Sequence, residues 1–530
     1  MRTIYTHGHI ITMDKNQPYA ESLCVEDGKI IAVGSYDDLK AFYNDETHVV
    51  DLKNKTMLPG FIDAHSHFAG AANAMNQCDL SGCHSFDDIV ECLKDFIEKR
   101  HIPEGEWVHG CQYDHNFLQE QRHPDIFCLD RVSTKHPIII THSSIHMGSF
   151  NSLGLEILGI DENTPDQSDG KYGRIEGTQK PNGYMEENAF LSAQAKLPGL
   201  SVERLLELMK DAQDMYASYG ITTVQDGMVS KPLFQLLKHA AMNDLLTLDV
   251  VGFIDIIHEP TLFEENKEFD RKYLKHLKLG GYKIFLDGSP QGRTAWMLQP
   301  YEGEKEYCGY PIISDEDLYR YMTKATDEHR QLLAHCNGDA ACEQYVRVFE
   351  KVAKDQKKTD LSRPVMIHAQ LVQKQQLERM IPLHMMPSFF VAHTYFWGDI
   401  HLKNFGLARG SRISPVKDAV NLGLPYTFHQ DTPVIPPDMI RTLYSAITRV
   451  TRNGVSIGEE QRVNVYQALE AITVNAAYQY FEEDTKGTLT VGKVADMVIL
   501  DQNPLDIDLD HFMDLQVLET IKGGQVIYKK

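Results

Sequence analysis

Short apolar runs alternating with helical periodicities fill the middle of the chain. Eight of these runs read as strands: Met57–Ala64, Thr222–Asp226, Leu246–Ile254, Gly281–Leu286, Gln331–His335, Val365–Ala369, Ser388–His393 and Tyr426–Asp431. Apolar residues recur at helical spacing over Ser201–Tyr219, Asp315–Arg330, Gly338–Lys354, Leu371–Arg379 and Val463–Tyr480. Strands that alternate with helices predict a parallel α/β sheet, and eight such units predict a (β/α)8 TIM-like barrel. A doubly wound sheet competes, but the first strand is not followed by the Gly-rich phosphate loop such sheets often carry. Roughly 160 residues, 65–221, separate the first two strands, a length that marks a functional insertion. It covers about residues 70–200.

The two ends have a different texture. Thr3–Tyr5, Ile10–Met13, Ser22–Glu26, Lys29–Val33 and Val49–Asp51 read as short strands, as do Asp496–Leu500, Val517–Ile521 and Gln525–Tyr528, with Gly487, Gly492 and Gly523-Gly524 as turns. Residues 1–57 and 483–530 are therefore expected to combine into one composite β-sandwich beside a barrel of residues 58–482. The length supports two parts, because 530 residues exceed the ~250–300 at which single cores stop growing.

Charge narrows the partners. Lys+Arg of 52 against Asp+Glu of 75 gives a net charge of -23, which repels nucleic acid and anionic membrane surfaces. The apolar runs are too short to span a bilayer, and the start lacks a basic region followed by an apolar one. Nine cysteines without a CxxC pair suit reduced thiols in the cytoplasm.

The chemistry gathers at the predicted strand ends. Leu58-Pro59-Gly60-Phe61-Ile62-Asp63-Ala64-His65-Ser66-His67 closes the first strand. Residues two apart in a strand point the same way, so His65 and His67 can converge on one ion. An isolated HxH is more often two unrelated polar histidines in a turn, so the surroundings decide. His335 closes the fifth strand, His368 the sixth and Asp431 the eighth, and Lys283 lies on the fourth. Four histidines, an aspartate and a lysine at one rim of one barrel have the composition of a catalytic metal site.

These segments resemble the metal-dependent amidohydrolase superfamily, and within it the YtcJ-like branch, amidohydrolase family 3, which includes N-substituted formamide deformylases. The resemblance runs from LPGFIDAHSH through GITTVQDG (Gly220–Gly227), YKIFLDGSPQGRTAWM (Tyr282–Met297), HCNGDAA, IHAQLV and HQDTPV to GTLTVGKVADMVILD (Gly487–Asp501). It implies that His65 and His67 bind a more buried metal with Asp431, and that His335 and His368 bind a second. Lys283 would bridge the two as an N-carboxylated lysine formed with carbon dioxide. The ions would be divalent, zinc foremost, with iron or manganese as alternatives, and one or two per chain. Relatives often carry an acidic residue before the sixth-strand histidine, where this chain has Ile367; strand alternation predicts that Ile367 points away from the metal.

The resemblance implies hydrolysis of a non-peptide carbon–nitrogen bond, in a small N-acyl or N-formyl amide, by a metal-activated hydroxide. Asp431 is the expected general base, taking the proton and passing it to the leaving amine; the alternative is a ligand without that duty. His146, Tyr184, Arg293 and His393 are candidate substrate contacts, with ordinary packing or surface roles as their alternatives. Esterase or lactonase chemistry on the same site, a metal-dependent isomerase or hydratase, and a non-catalytic scaffold are the rival functions. A homodimer is expected by family analogy.

Overall fold

The computed structural model describes residues 2–142, 147–166, 170–357 and 362–530. By its contacts the chain divides into two compact units, residues 1–71 with 209–530, and residues 72–208.

At the centre of the first unit is an eight-stranded parallel sheet. In spatial order its strands are Phe61–Ile62, Ile221–Val229, Asp249–Asp255, Leu277–Phe285, Gln331–Cys336, Val365–His368, Met386–Phe389 and Thr427–Phe428. Spatial order equals chain order, as helical crossovers require in a TIM-like α/β fold. The crossovers include helices Asp315–Asp327, Asp339–Gln356, Lys374–Met380 and His393–Gly410. Ser314 starts one of them by accepting a hydrogen bond from the Asp317 amide, beside three acidic residues in the first turn. Among the described residues no helix is long and apolar enough to cross a membrane, and all nine cysteines are free.

The run Met57–Ala64 is two strands rather than one. Thr56–Pro59 pairs antiparallel with Met497–Leu500, whereas Phe61–Ile62 pairs parallel with Ile221–Val229. Gly60 makes the hand-over, because a Cβ there would lie 2.6 Å from the Thr222 methyl and 3.2 Å from the Asp496 backbone. The strand containing Pro59 belongs to a second sheet, whose order is Gln525–Lys529, Val517–Lys522, Met497–Leu500, Thr56–Pro59, Arg2–Ile11, Tyr19–Glu26 and Lys29–Gly34, with His48–Asp51 also against Arg2–Ile11. Both ends of the chain thus share one sheet.

Charged groups are buried where this terminal sheet meets the parallel one. Asp249 Oδ2 accepts from Lys486 Nζ and Lys522 Nζ, each at 2.5 Å. Lys522 also reaches Asp496 at 2.7 Å, Lys486 reaches Glu482 at 2.7 Å, and Lys278 pairs with Glu482. Three lysines thus face three carboxylates. Burial alone would raise the Asp249 pKa, but Lys486 and Lys522 hold it well below the usual carboxylate range. Asp249 and Lys278 lie at the starts of their strands, the opposite end from Lys283 and His335.

The second unit carries its own mixed six-stranded sheet, ordered Gly170–Arg174, Pro181–Glu187, Met147–Phe150, Ile138–His142, Val108–Tyr113 and Gln77–Asp79. Leu80, Ile89, Leu93, Val108, Leu129 and Ile138 form a core on one side.

Asp249→Asn leaves two buried ammonium groups short of a countercharge, so it should destabilise the protein by about 3–5 kcal/mol. Urea unfolding of the metal-free protein checks this; unchanged stability would show that the network adds nothing.

Candidate metal centre

The chain after the first parallel strand and the chain after the eighth are joined by backbone hydrogen bonds. The Asp431 amide donates to His65 O at 3.2 Å, and the His67 amide donates to Thr432 O at 2.8 Å. Gln479 ties the same seam from below: its Nε2 donates to Ala64 O at 2.7 Å, and its Oε1 accepts from Thr427 Oγ1 at 2.8 Å. The consequence is convergence of side chains from distant sequence. Asp431 Oδ1 lies 3.3 Å from His65 Nε2 and 3.3 Å from His67 Nε2. That oxygen is buried and has no hydrogen-bond partner among the described residues. A buried carboxylate oxygen facing two imidazole nitrogens is costly unless a cation completes it. The donor set of two imidazoles and a carboxylate fits a divalent metal.

The remaining candidates surround this triad. Lys283 Nζ is fully buried and 3.1 Å from His65 Nε2. His368 Nε2 lies 3.0 Å from His335 Nδ1 and 3.9 Å from Asp431 Oδ2. The far nitrogens of His65, His335 and His368 are each engaged, which constrains the orientation of these three rings. His65 Nδ1 donates to Gln225 Oε1 at 2.5 Å, and His335 Nε2 donates to Gly288 O at 3.1 Å. Those donations leave His65 Nε2 and His335 Nδ1 as lone pairs aimed inward. His368 and Asp431 both have left-handed backbone, with φ of 72° and 55°. Such strain costs about 1–3 kcal/mol per residue and persists where a site over-determines it.

Burial sets the electrostatics. It pushes His335 down to about 4 and His429 to about 3, with Lys283 adding in the first case. His65 and His368 are held well below the ordinary histidine value, by burial first and then by neighbouring cationic groups. These rings are neutral, as metal ligation requires. Burial also pushes Lys283 down to about 8. For Asp431 burial acts to raise the pKa, but His67, His429 and Lys283 together bring it below the usual value, so the carboxylate is ionised.

The predicted substrate contacts are more scattered. His146 lies outside the described residues. Tyr184 is in the second unit, where its hydroxyl donates to Glu186 at 3.1 Å and its ring stacks on His123 at 4.3 Å. Arg293 is engaged within its own loop, 3.2 Å from Glu304, 3.3 Å from Glu302 O and over the Tyr301 ring. His393 does not end the seventh strand. That strand stops at Phe389, and His393 is the first residue of helix His393–Gly410, with its Nδ1 3.0 Å from His401 Nε2. Phe390-Val391-Ala392 holds no turn-forming residue that would have announced the change.

Ile367 also departs from expectation. In register it sits between His335 and Ser388, and it packs with Leu333, Val365 and Met386, so it shares the inward face. The left-handed backbone at His368 breaks the alternation, which lets both neighbours face inward. Two contributors carry no assigned role in the sequence reading. His429 bonds His368 Nδ1 at 3.1 Å and Ser388 Oγ at 2.8 Å, and Gln225 orients His65. The spacing of His429, two before Asp431, is the signal that pointed to the former.

Comparison with known proteins places this geometry. The model of the amidohydrolase family matches residues 48–528. The amidohydrolase YtcJ of Bacillus subtilis is 28% identical, over 100% of both chains. The N-substituted formamide deformylase of Arthrobacter pascens is 26% identical over 99% of this chain and 98% of its own. A metal-dependent hydrolase from Pyrococcus horikoshii superposes with a TM-score of 0.78 at 23% identity, covering 96% of this chain and 99% of that one, a likeness of fold. With the match spanning all six clustered candidates, this chain belongs to the amidohydrolase family and is a hydrolase acting on carbon–nitrogen bonds.

Proposed function

We propose that this protein cleaves the carbon–nitrogen bond of a small N-acyl or N-formyl amide in a metal-dependent hydrolysis. The observation that carries the reading is the bare Asp431 Oδ1 facing His65 Nε2 and His67 Nε2 at 3.3 Å each. Likeness to a formamide deformylase along the whole chain supports the N-formyl class.

His65, His67 and Asp431 would hold one divalent ion, zinc foremost with iron or manganese as alternatives, and His335 with His368 a second. When bound, such ions lower the pKa of a water molecule and polarise a carbonyl. The chain's own residues do the rest. Gln225 and Gly288 O fix the tautomers of His65 and His335. Lys283 is the residue to be N-carboxylated: its neutral amine attacks carbon dioxide, forms an N–C bond and releases a proton. Burial favours that neutral amine, and the new carboxylate would offset cationic charge in the site. Asp431 takes a proton at Oδ2, the oxygen not directed at His65 and His67, and passes it to the departing amine nitrogen. A general base in this position contributes roughly 10²–10⁴ in rate. Free thiols and a net charge of -23 accord with a cytoplasmic protein acting on a small molecule.

Asp431→Asn should lower kcat on formamides and N-acyl amides by at least about 10² while keeping the fold by circular dichroism. A rate near that of the parent would remove Asp431 from proton transfer. Chelation should abolish amine release, and divalent metal with bicarbonate should restore it; activity that survives complete removal of metal contradicts the reading.

The neutral imidazoles predict a pH dependence. His429 is held near 3 when folded but titrates near 6.5 when unfolded. Below 6.5 the unfolded chain therefore binds a proton that the folded one refuses, so stability falls as pH falls. In metal-free protein, His429→Asn should make the stability-versus-pH slope between 6.5 and 4 shallower by about 1.4 kcal/mol per pH unit. Equal slopes in denaturant titrations would mean that His429 is not buried as a neutral ring.

A further inference from the structure

The second unit holds a separate group of metal-ligating side chains. Its strands Val108–Tyr113 and Ile138–His142 run parallel, and a bulge between Gly110 and Tyr113 shifts their register so that Tyr113 lies opposite His142. Gln112 takes a left-handed φ of 67° within the bulge. Asp114 and His115 therefore leave their strand beside the last residue of the next one. Three atoms face one another there: His115 Nδ1 to His142 Nε2 at 3.2 Å, His142 Nε2 to Asp114 Oδ1 at 3.5 Å, and His115 Nδ1 to Asp114 Oδ1 at 3.8 Å.

We propose that Asp114, His115 and His142 form a further binding site for a divalent cation of the zinc class. The three separations define one triangle whose corners are all about 2.0 Å from a common point, the length of a zinc bond to imidazole nitrogen or carboxylate oxygen. Hydrogen bonds account for the sides of 3.2 and 3.5 Å singly; the 3.8 Å approach of His115 Nδ1 to the same carboxylate oxygen exceeds hydrogen-bond range, and pairwise bonds do not require all three atoms to share one centre.

The ligands are held from behind. Asp114 Oδ1 accepts from the Asn116 amide at 2.9 Å and from Asn116 Nδ2 at 2.8 Å, which fixes the carboxylate and leaves it ionised. His123 lies along the His115 ring, centroids 4.0 Å apart, and shares a hydrogen bond with the Tyr113 hydroxyl at 3.1 Å. It places a third imidazole against the triangle. Access is open: His115 and Asp114 are 28% and 26% exposed, while His142 is 8% exposed. An ion here would brace the ends of two strands and leave a coordination position to water or a ligand. The site shares no residue with the histidines of the parallel sheet.

Zinc stoichiometry of the full-length chain tests the proposal. Each protein is stripped with chelator, titrated calorimetrically with zinc alone, desalted and assayed for bound metal. His65→Ala/His67→Ala should retain zinc, and adding His115→Ala/His142→Ala to it should remove one equivalent, which is the one assigned to the second unit. His115→Ala/His142→Ala should bind one equivalent fewer than the parent. Asp114→Asn, which keeps the shape and removes the charge, should weaken that equivalent at least tenfold and serves if the double variant is misfolded by circular dichroism. A His65→Ala/His67→Ala protein with no bound zinc would overturn the site, as would parental zinc binding in Asp114→Asn and His115→Ala/His142→Ala.

Discussion

The site depends on a seam. The first and eighth parallel strands are short, and what joins the chain beyond them is the pair of backbone hydrogen bonds from Asp431 to His65 and from His67 to Thr432, with Gln479 bridging Ala64 and Thr427 beneath. Backbone bonds at this point fix the relative position of two segments more than 360 residues apart, and their side chains have little room left to choose. The left-handed backbone at Asp431 turns its carboxylate toward the two imidazoles, and the same conformation at His368 turns a sixth-strand ring toward His335. The strain is offset by a cage in which Gln225, Gly288 and Ser388 each occupy a polar group of a neighbouring histidine directly or through His429.

Stability and chemistry are placed at opposite ends of the same strands. Asp249 and Lys278, near the starts of the third and fourth strands, belong to the buried charge network with Lys486 and Lys522, whereas Lys283 and His335 sit toward strand ends among the candidate ligands. This is the division expected of TIM-like folds, in which the carboxyl ends of strands carry function. A charge network in which every carboxylate faces a lysine differs in kind from a cluster whose central carboxylate oxygen faces two imidazoles.

Much of this was legible in the sequence, for an identifiable reason. Each of the eight apolar runs overlaps an observed parallel strand, because buried strands flanked by amphipathic helices leave a strong periodic trace. His65, His67, Lys283, His335, His368 and Asp431 could be singled out because strand ends bring equivalent positions together. What escaped depends on local backbone. Neither the hand-over at Gly60 nor the early end of the seventh strand before His393 alters hydrophobicity, and positive φ at His368 let that ring face inward beside Ile367 against strand alternation. In the second unit, Asp114, His115 and His142 meet through a bulge, a feature without a reliable sequence mark.

The most direct measurement is an anomalous-difference map from crystals of the untreated protein, collected at the absorption edge of the metal found in it. The account predicts a peak about 2.0–2.2 Å from His65 Nε2, His67 Nε2 and an Asp431 oxygen. A map with no peak at these three residues, in crystals whose metal is bound elsewhere on the chain, would contradict it.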